Sequence, residues 1–143
     1  MTYPELRRFG PGLDQNHYRW RDDLDGLNSQ VSGWLAAEDT LYDGATEGTT
    51  VRLRIEAANT GGGAVNNLQY RLEYTTDTGG SWTAVPVTAS ASEPFEMVDS
   101  LYSDGDNITA SYLTATGSWA NGKGIEDPNN MTANYSLTNA YYT

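Results

Sequence analysis

The sequence predicts an all-β fold, an antiparallel β-sandwich of about seven or eight strands with an extended N-terminal arm. Three observations predict it. The first is a pair of alternating segments, Val51-Arg52-Leu53-Arg54-Ile55-Glu56-Ala57 and Leu68-Gln69-Tyr70-Arg71-Leu72-Glu73-Tyr74, joined by a loop containing Gly61-Gly62-Gly63. Their period of 2 sends Val51, Leu53, Ile55 and Ala57 to one side of a strand and Arg52, Arg54 and Glu56 to the other. A sheet with one apolar and one charged face needs a second layer over the apolar side. The second observation is compositional: fifteen glycines and ten tyrosines, abundant threonine, and no segment with a clear 3.6-residue stripe, which leaves helices a minor part. The third is the recurrence of short polar turns between the candidate strands.

Residues 1–14 contain Pro4, Gly10, Pro11 and Gly12 without periodicity and are expected to form the arm, with the sandwich domain over 15–143. Gln15 to Arg21 alternates, His17, Arg19 and Arg21 against Asn16, Tyr18 and Trp20, and the acidic turn Asp22-Asp23-Leu24-Asp25-Gly26 ends it. A short strand is expected around Ser32 to Ala37. After the two alternating segments, Thr76-Asp77-Thr78-Gly79-Gly80 reads as a hairpin turn with glycines where φ > 0 is wanted, leading into Ser81 to Pro86. Phe95 to Ser100, Thr109 to Thr116 and Asn134 to Tyr142 complete the strands, separated by Ser103-Asp104-Gly105-Asp106-Asn107 and Asn121-Gly122-Lys123-Gly124.

A length of 143 residues suits one domain with a core of its own. The absence of cysteine removes thiol catalysis, cysteine-based zinc sites and disulfides, while leaving an extracellular location open. A net charge of −11 and a pI near 4.2 oppose binding to phosphate polymers and anionic headgroups, so nucleic acid is not an expected partner. No window approaches the roughly 18 consecutive apolar residues of a membrane helix, and Met1 to Phe9 lacks the basic-then-apolar pattern of a signal peptide. The expectation is a mature exported chain, or one that reaches the exterior as part of a particle released by lysis.

Thr75-Thr76-Asp77-Thr78-Gly79-Gly80-Ser81-Trp82 is close to the Asp-box of sialidase-like propellers, S-x-D-x-G-x-T-W. A single copy reads as a turn in which the aspartate caps backbone donors and the tryptophan packs beneath. Asp104, Asp106 and Asn107 group hard oxygen ligands in one turn and are the candidate calcium ligands; no other cofactor is expected. His17 is the sole histidine, so it reads as a surface or sheet-edge residue and not as part of a multi-histidine site, and no nucleophile-elbow context surrounds any serine. Adjacent carboxylates such as Glu38 and Asp39 would face opposite sides of a strand, which argues against a glycosidase pair. Four tryptophans and two phenylalanines leave most tryptophans for the core, with Trp20 and Trp119 as candidate sugar-stacking residues.

Gln15 to Arg21, Trp34-Leu35-Ala36-Ala37-Glu38-Asp39-Thr40, Val51 to Ile55 and Tyr70 to Tyr74 together resemble immunoglobulin-like or fibronectin-type-III-like β-sandwich modules of bacterial surface proteins and tailed-phage virion proteins. The resemblance spans about residues 15 to 143. It implies a non-enzymatic accessory role, with no catalytic residues to carry over. Modules of this kind continue past the region of Tyr141 and Tyr142, which implies an open sheet edge completed by the arm or by a neighbouring subunit. The expected function is a structural subunit of an extracellular assembly, in first place a capsid-decoration protein on a virion surface and a homo-oligomer. Its assembly contacts would come from Tyr3, Leu6 and Phe9 in the arm and from Tyr141 and Tyr142. The alternatives are a secreted bacterial cell-surface or filament-forming adhesion module and a glycan-binding module.

Overall fold

The computed structural model describes residues 3–6, 12–24, 33–60, 65–68, 72–87, 92–100, 103, 105–108, 112–114, 119–120, 122–124, 135–137 and 141–142. Among them the regular structure is entirely β, with no helix. The longest pair is β2 (Leu13–Asp22) against β3 (Val51–Asn59), antiparallel. β3 also pairs with β11 (Tyr141–Tyr142), and β11 runs parallel to β8 (Trp119–Ala120), which gives a four-stranded sheet of order β2-β3-β11-β8.

A second sheet holds β1 (Tyr3–Leu6), β5 (Leu72–Thr75) and β6 (Thr83–Ala84) in the order β1-β5-β6. Two further antiparallel pairs join β4 (Val65–Leu68) to β10 (Tyr135–Leu137), and β7 (Asn107–Ile108) to β9 (Gly122–Lys123). Within the arm, residues 3–6 are thus a strand, aligned Tyr3 with Thr75 and Leu6 with Leu72. β2 begins at Leu13, two residues before the expected domain start.

The hairpin between β5 and β6 forms where the sequence places it, with Glu73 opposite Ala84 and Tyr74 opposite Thr83. Its aspartate organises the turn: Gly79 N donates to Asp77 Oδ1 (3.3 Å) and Gly80 N to Asp77 O (3.0 Å). Positive φ is absent from Gly79 and Gly80, because a loop of seven residues between the strands can close without the left-handed centre that a two-residue hairpin needs.

Three expected strands take other forms; of Thr109 to Thr116, the described residues 112–114 are irregular, with Tyr112 at φ 50°. Residues 33–37 contribute a single bridge, Trp34 to Arg21, and not a strand. Gly33 lies at φ +92°, and a Cβ there would stand 2.5 Å from Asp22 Oδ1, so the chain turns sharply against the end of β2 before it can extend. Residues 95–100 are irregular: Phe95, Met97 and Val98 cannot share one strand face, and Pro94 removes a backbone donor at the start. Phe95 instead sets its ring edge-on against Tyr74 at 5.8 Å.

The buried apolar residues are Ala57, Ala58, Tyr74, Val85, Ile108 and Leu113. On β3 the burial extends to the charged row. Val51, Leu53 and Ile55 are half-buried, while Arg54 is 9% exposed and Glu56 0%. The charged row of the strand is therefore covered, and what covers it defines the site.

Candidate functional site

Register places four arginines on one face of the β2–β3 pair. Arg19 lies opposite Arg54 and Arg21 opposite Arg52, and directly opposed residues share a face. These are four of the eight basic residues in the chain, so the remaining surface is more acidic than composition suggests. Trp34 packs on this row, its ring 4.2 Å from the Arg19 guanidinium, 5.5 Å from that of Arg21 and 5.7 Å from that of Arg54. The quadrupole of an indole face attracts cations at this range, which offsets the mutual repulsion of the guanidiniums. Tyr112, in the left-handed region at φ 50°, adds a second ring 5.7 Å from Arg54 and 6.3 Å from Trp34. At the far end Arg52 Nε meets Asp23 Oδ1 at 2.5 Å, and Ser100 Oγ donates to the same oxygen at 2.7 Å.

Residues 33–39 follow the outer edge of β2. Asp22 N donates to Gly33 O (2.9 Å), Leu35 N to Trp20 O (3.1 Å) and Asp39 N to Tyr18 O (2.9 Å). Asp39 sits at φ 55°, a conformation aspartate tolerates better than most residues. Its side chain completes the exchange, since Tyr18 N donates to Asp39 Oδ1 at 3.0 Å.

At this point β2 is bulged. Gln15 pairs with Ala57 and Tyr18 with Ile55, so Asn16 and His17 together oppose the single residue Glu56. A bulge breaks strict alternation and re-aims a side chain. Here Asn16 Nδ2 donates to Glu56 Oε1 (3.0 Å), while His17 turns its Nδ1 to Asp39 Oδ2 at 2.6 Å and to Glu38 Oε1 at 3.6 Å. Glu38 is anchored by its other oxygen, which accepts from Thr114 N at 2.7 Å. The ligand atoms of His17, Glu38 and Asp39 all lie within 4.8 Å of one another. Glu38 and Asp39 fall on a turn and not on a strand, which is how adjacent carboxylates come to face one imidazole.

The electrostatics follow from the geometry. The hydrogen bond to Asp39 raises the His17 pKa above the ordinary histidine value; partial burial opposes this, and the charges of Asp39, Glu38 and Glu56 add to it. Burial raises the Glu56 pKa above the ordinary carboxylate value, against the Asn16 hydrogen bond and the charge of His17, both of which lower it, while Glu38 and Asp39 push it further up. Glu56 Oε2 is buried without a hydrogen-bond partner among the described residues.

Comparison with protein-family models, curated proteins and solved structures returns no match.

The sequence-derived candidates lie elsewhere. Asp106 Oδ2 accepts from Ser103 N (3.0 Å) and Asp106 N donates to Ser103 O (3.0 Å), a self-bonded turn; Asn107 is exposed at the start of β7, and Asp104 lies outside the described residues. Trp20 is half-buried against Tyr42, with ring centroids 6.4 Å apart, and Trp119 aligns with Tyr141. Tyr141 and Tyr142 have backbone partners on both sides, β3 and β8. Tyr3 and Leu6 lie in β1, and Phe9 lies outside the described residues. Sequence reasoning gave His17 no partners because they require a bulge and a turn; the dipeptide Glu38-Asp39 after an apolar run was the available signal.

Proposed function

We propose that the chain is a non-enzymatic structural subunit of an extracellular assembly, in its specific form a decoration protein of a phage particle, built as an immunoglobulin-like sandwich. The observation that carries the assembly reading is the pairing of residues 3–6 with β5. β1 is the outer strand of its sheet, and Arg7-Arg8-Phe9-Gly10-Pro11-Gly12 connects it to β2. An edge strand joined to the next by a connection rich in glycine and proline can be exchanged for the same strand of a second copy at little cost, because every hydrogen bond is reproduced between subunits. The placement of β3 and β4, consecutive in sequence, in different sheets supports a two-layer arrangement. The virion location rests on the resemblance to phage modules, and a coding gene outside any phage or prophage structural cluster contradicts it.

Light scattering over a range of concentrations tests the assembly reading with the full chain and a chain lacking residues 1–11. The full chain is expected to form oligomers of defined stoichiometry that the shortened chain cannot form. Identical behaviour of the two chains removes the arm from assembly.

A further inference from the structure

The cluster at the bulge has the composition and geometry of a cation site. Its two carboxylates, Glu38 half-buried and Asp39 exposed, are each held by one oxygen on a backbone N–H from a different segment, Glu38 on Thr114 and Asp39 on Tyr18, with the second oxygen turned to His17. Such outer contacts orient metal ligands before the ion arrives. The distances from His17 Nδ1, 2.6 Å to Asp39 Oδ2 and 3.6 Å to Glu38 Oε1, bracket the roughly 3.4 Å separation of donors around a tetrahedral ion with bonds near 2.1 Å. The oxygens of Glu38 and Asp39 lie within 4.8 Å of each other, so all three donors stand close to one centre.

A second observation points to a missing positive charge. Glu56 lies opposite the bulge, is fully buried, and leaves Oε2 without a hydrogen-bond partner among the described residues. Its other oxygen is fixed by Asn16, the residue next to His17. Glu38 and Asp39 face the imidazole and Glu56 lies opposite it across the bulge, so even a protonated His17 leaves an excess of negative charge in a partly dry place. Buried carboxylates persist where they are paired or coordinate metals.

We propose that His17, Glu38 and Asp39, backed by Glu56, bind a divalent transition-metal ion of the zinc class. The imidazole nitrogen favours such an ion over calcium, which takes oxygen ligands only. The ion would tie the bulge of β2 to the 33–39 edge segment and, through Glu38, to residues 112–114. This site is independent of the arm, so its failure leaves the assembly reading untouched.

Because His17 is the only histidine, its ring nitrogens form a single reporter. The chain is stripped with a chelator, exchanged into buffer and titrated with zinc chloride, following the imidazole nitrogen resonances by NMR and the heat of binding by calorimetry. One equivalent of zinc is expected to shift the His17 nitrogens to saturation. His17→Gln and Asp39→Asn are each expected to weaken binding about tenfold or more, and excess calcium is expected not to displace the zinc. Unmoved His17 resonances at saturating zinc overturn the proposal. So does undiminished affinity in folded His17→Gln, which would place the zinc on the general acidic surface. Should either variant fail to fold, the resonances of the unaltered chain decide.

Discussion

Replacing Trp34 with alanine is expected to lower the unfolding free energy by about 3 kcal/mol, at the lower end of the range for a core tryptophan because Trp34 is half-buried. The loss has two sources. Removing the indole opens the cover over Arg21 and Arg54, which are 3% and 9% exposed, and deletes the ring face that three guanidiniums share. It also leaves Arg19 and Arg54, directly opposed across the strands, with their repulsion less compensated. Trp34→Phe keeps an aromatic face and is expected to lose about half as much. Chemical denaturation of the three chains measures both values. A loss below about 1 kcal/mol for the alanine variant would mean that the arginine row does not depend on Trp34.

Glu56 is expected to show effects of opposite sign in two substitutions. Glu56→Gln keeps the acceptor for Asn16 and removes a charge from a fully buried position, so it stabilises the chelator-treated protein by about 1 kcal/mol near pH 7. Glu56→Ala leaves Asn16 without its partner and a void in the sheet, and costs about 2 kcal/mol.

The pH dependence separates Glu56 from His17. A carboxyl with a folded-state pKa above its unfolded value penalises folding increasingly as pH rises from the unfolded pKa, near 4.5, through the folded one. The advantage of Glu56→Gln should therefore vanish at pH 4 and grow above it. His17 also has a raised folded-state pKa, but as a base it contributes stability below its unfolded pKa of 6.5 and loses it as pH rises through the folded value. His17→Gln should then cost most below pH 6.5 and progressively less in the alkaline range. Denaturation series at several pH values check both trends, and a Glu56→Gln difference that does not change with pH contradicts the account of that residue.

Much of the β character was legible because it is local. The period of 2 in residues 51–57 marks β3, and the Asp77 turn marks the β5–β6 hairpin, since both signals lie within a few residues of the structure they specify. The cover over the charged row was not legible. Trp34 and Tyr112 reach it from segments expected to be strands that instead turn, one at Gly33 and the other at a left-handed tyrosine, and the contacts span the chain. Alternation alone marks Arg52, Arg54 and Glu56 as the charged face of the strand, and long-range packing covers Arg54 and Glu56. The site has the same history. A two-residue bulge against Glu56 and a positive φ at Asp39 bring His17 to both carboxylates, and neither feature has a residue pattern that announces it.

β1 pairs with the β5 edge, and the proposed assembly requires its exchange between copies. Leu6 and Leu72 are register partners, and the chain has no cysteine, so Leu6→Cys with Leu72→Cys creates one possible bridge per strand pair. Directly opposed antiparallel residues lie about 4.5–5.5 Å apart between Cα atoms, within the reach of a disulfide. The doubly substituted chain is oxidised at low and at high protein concentration and separated under non-reducing, denaturing conditions. Bridges within one chain are predicted at low concentration, with covalent dimers and larger species increasing with concentration. Bridges confined to single chains at every concentration would contradict exchange, and the absence of any bridge would contradict the pairing of β1 with β5.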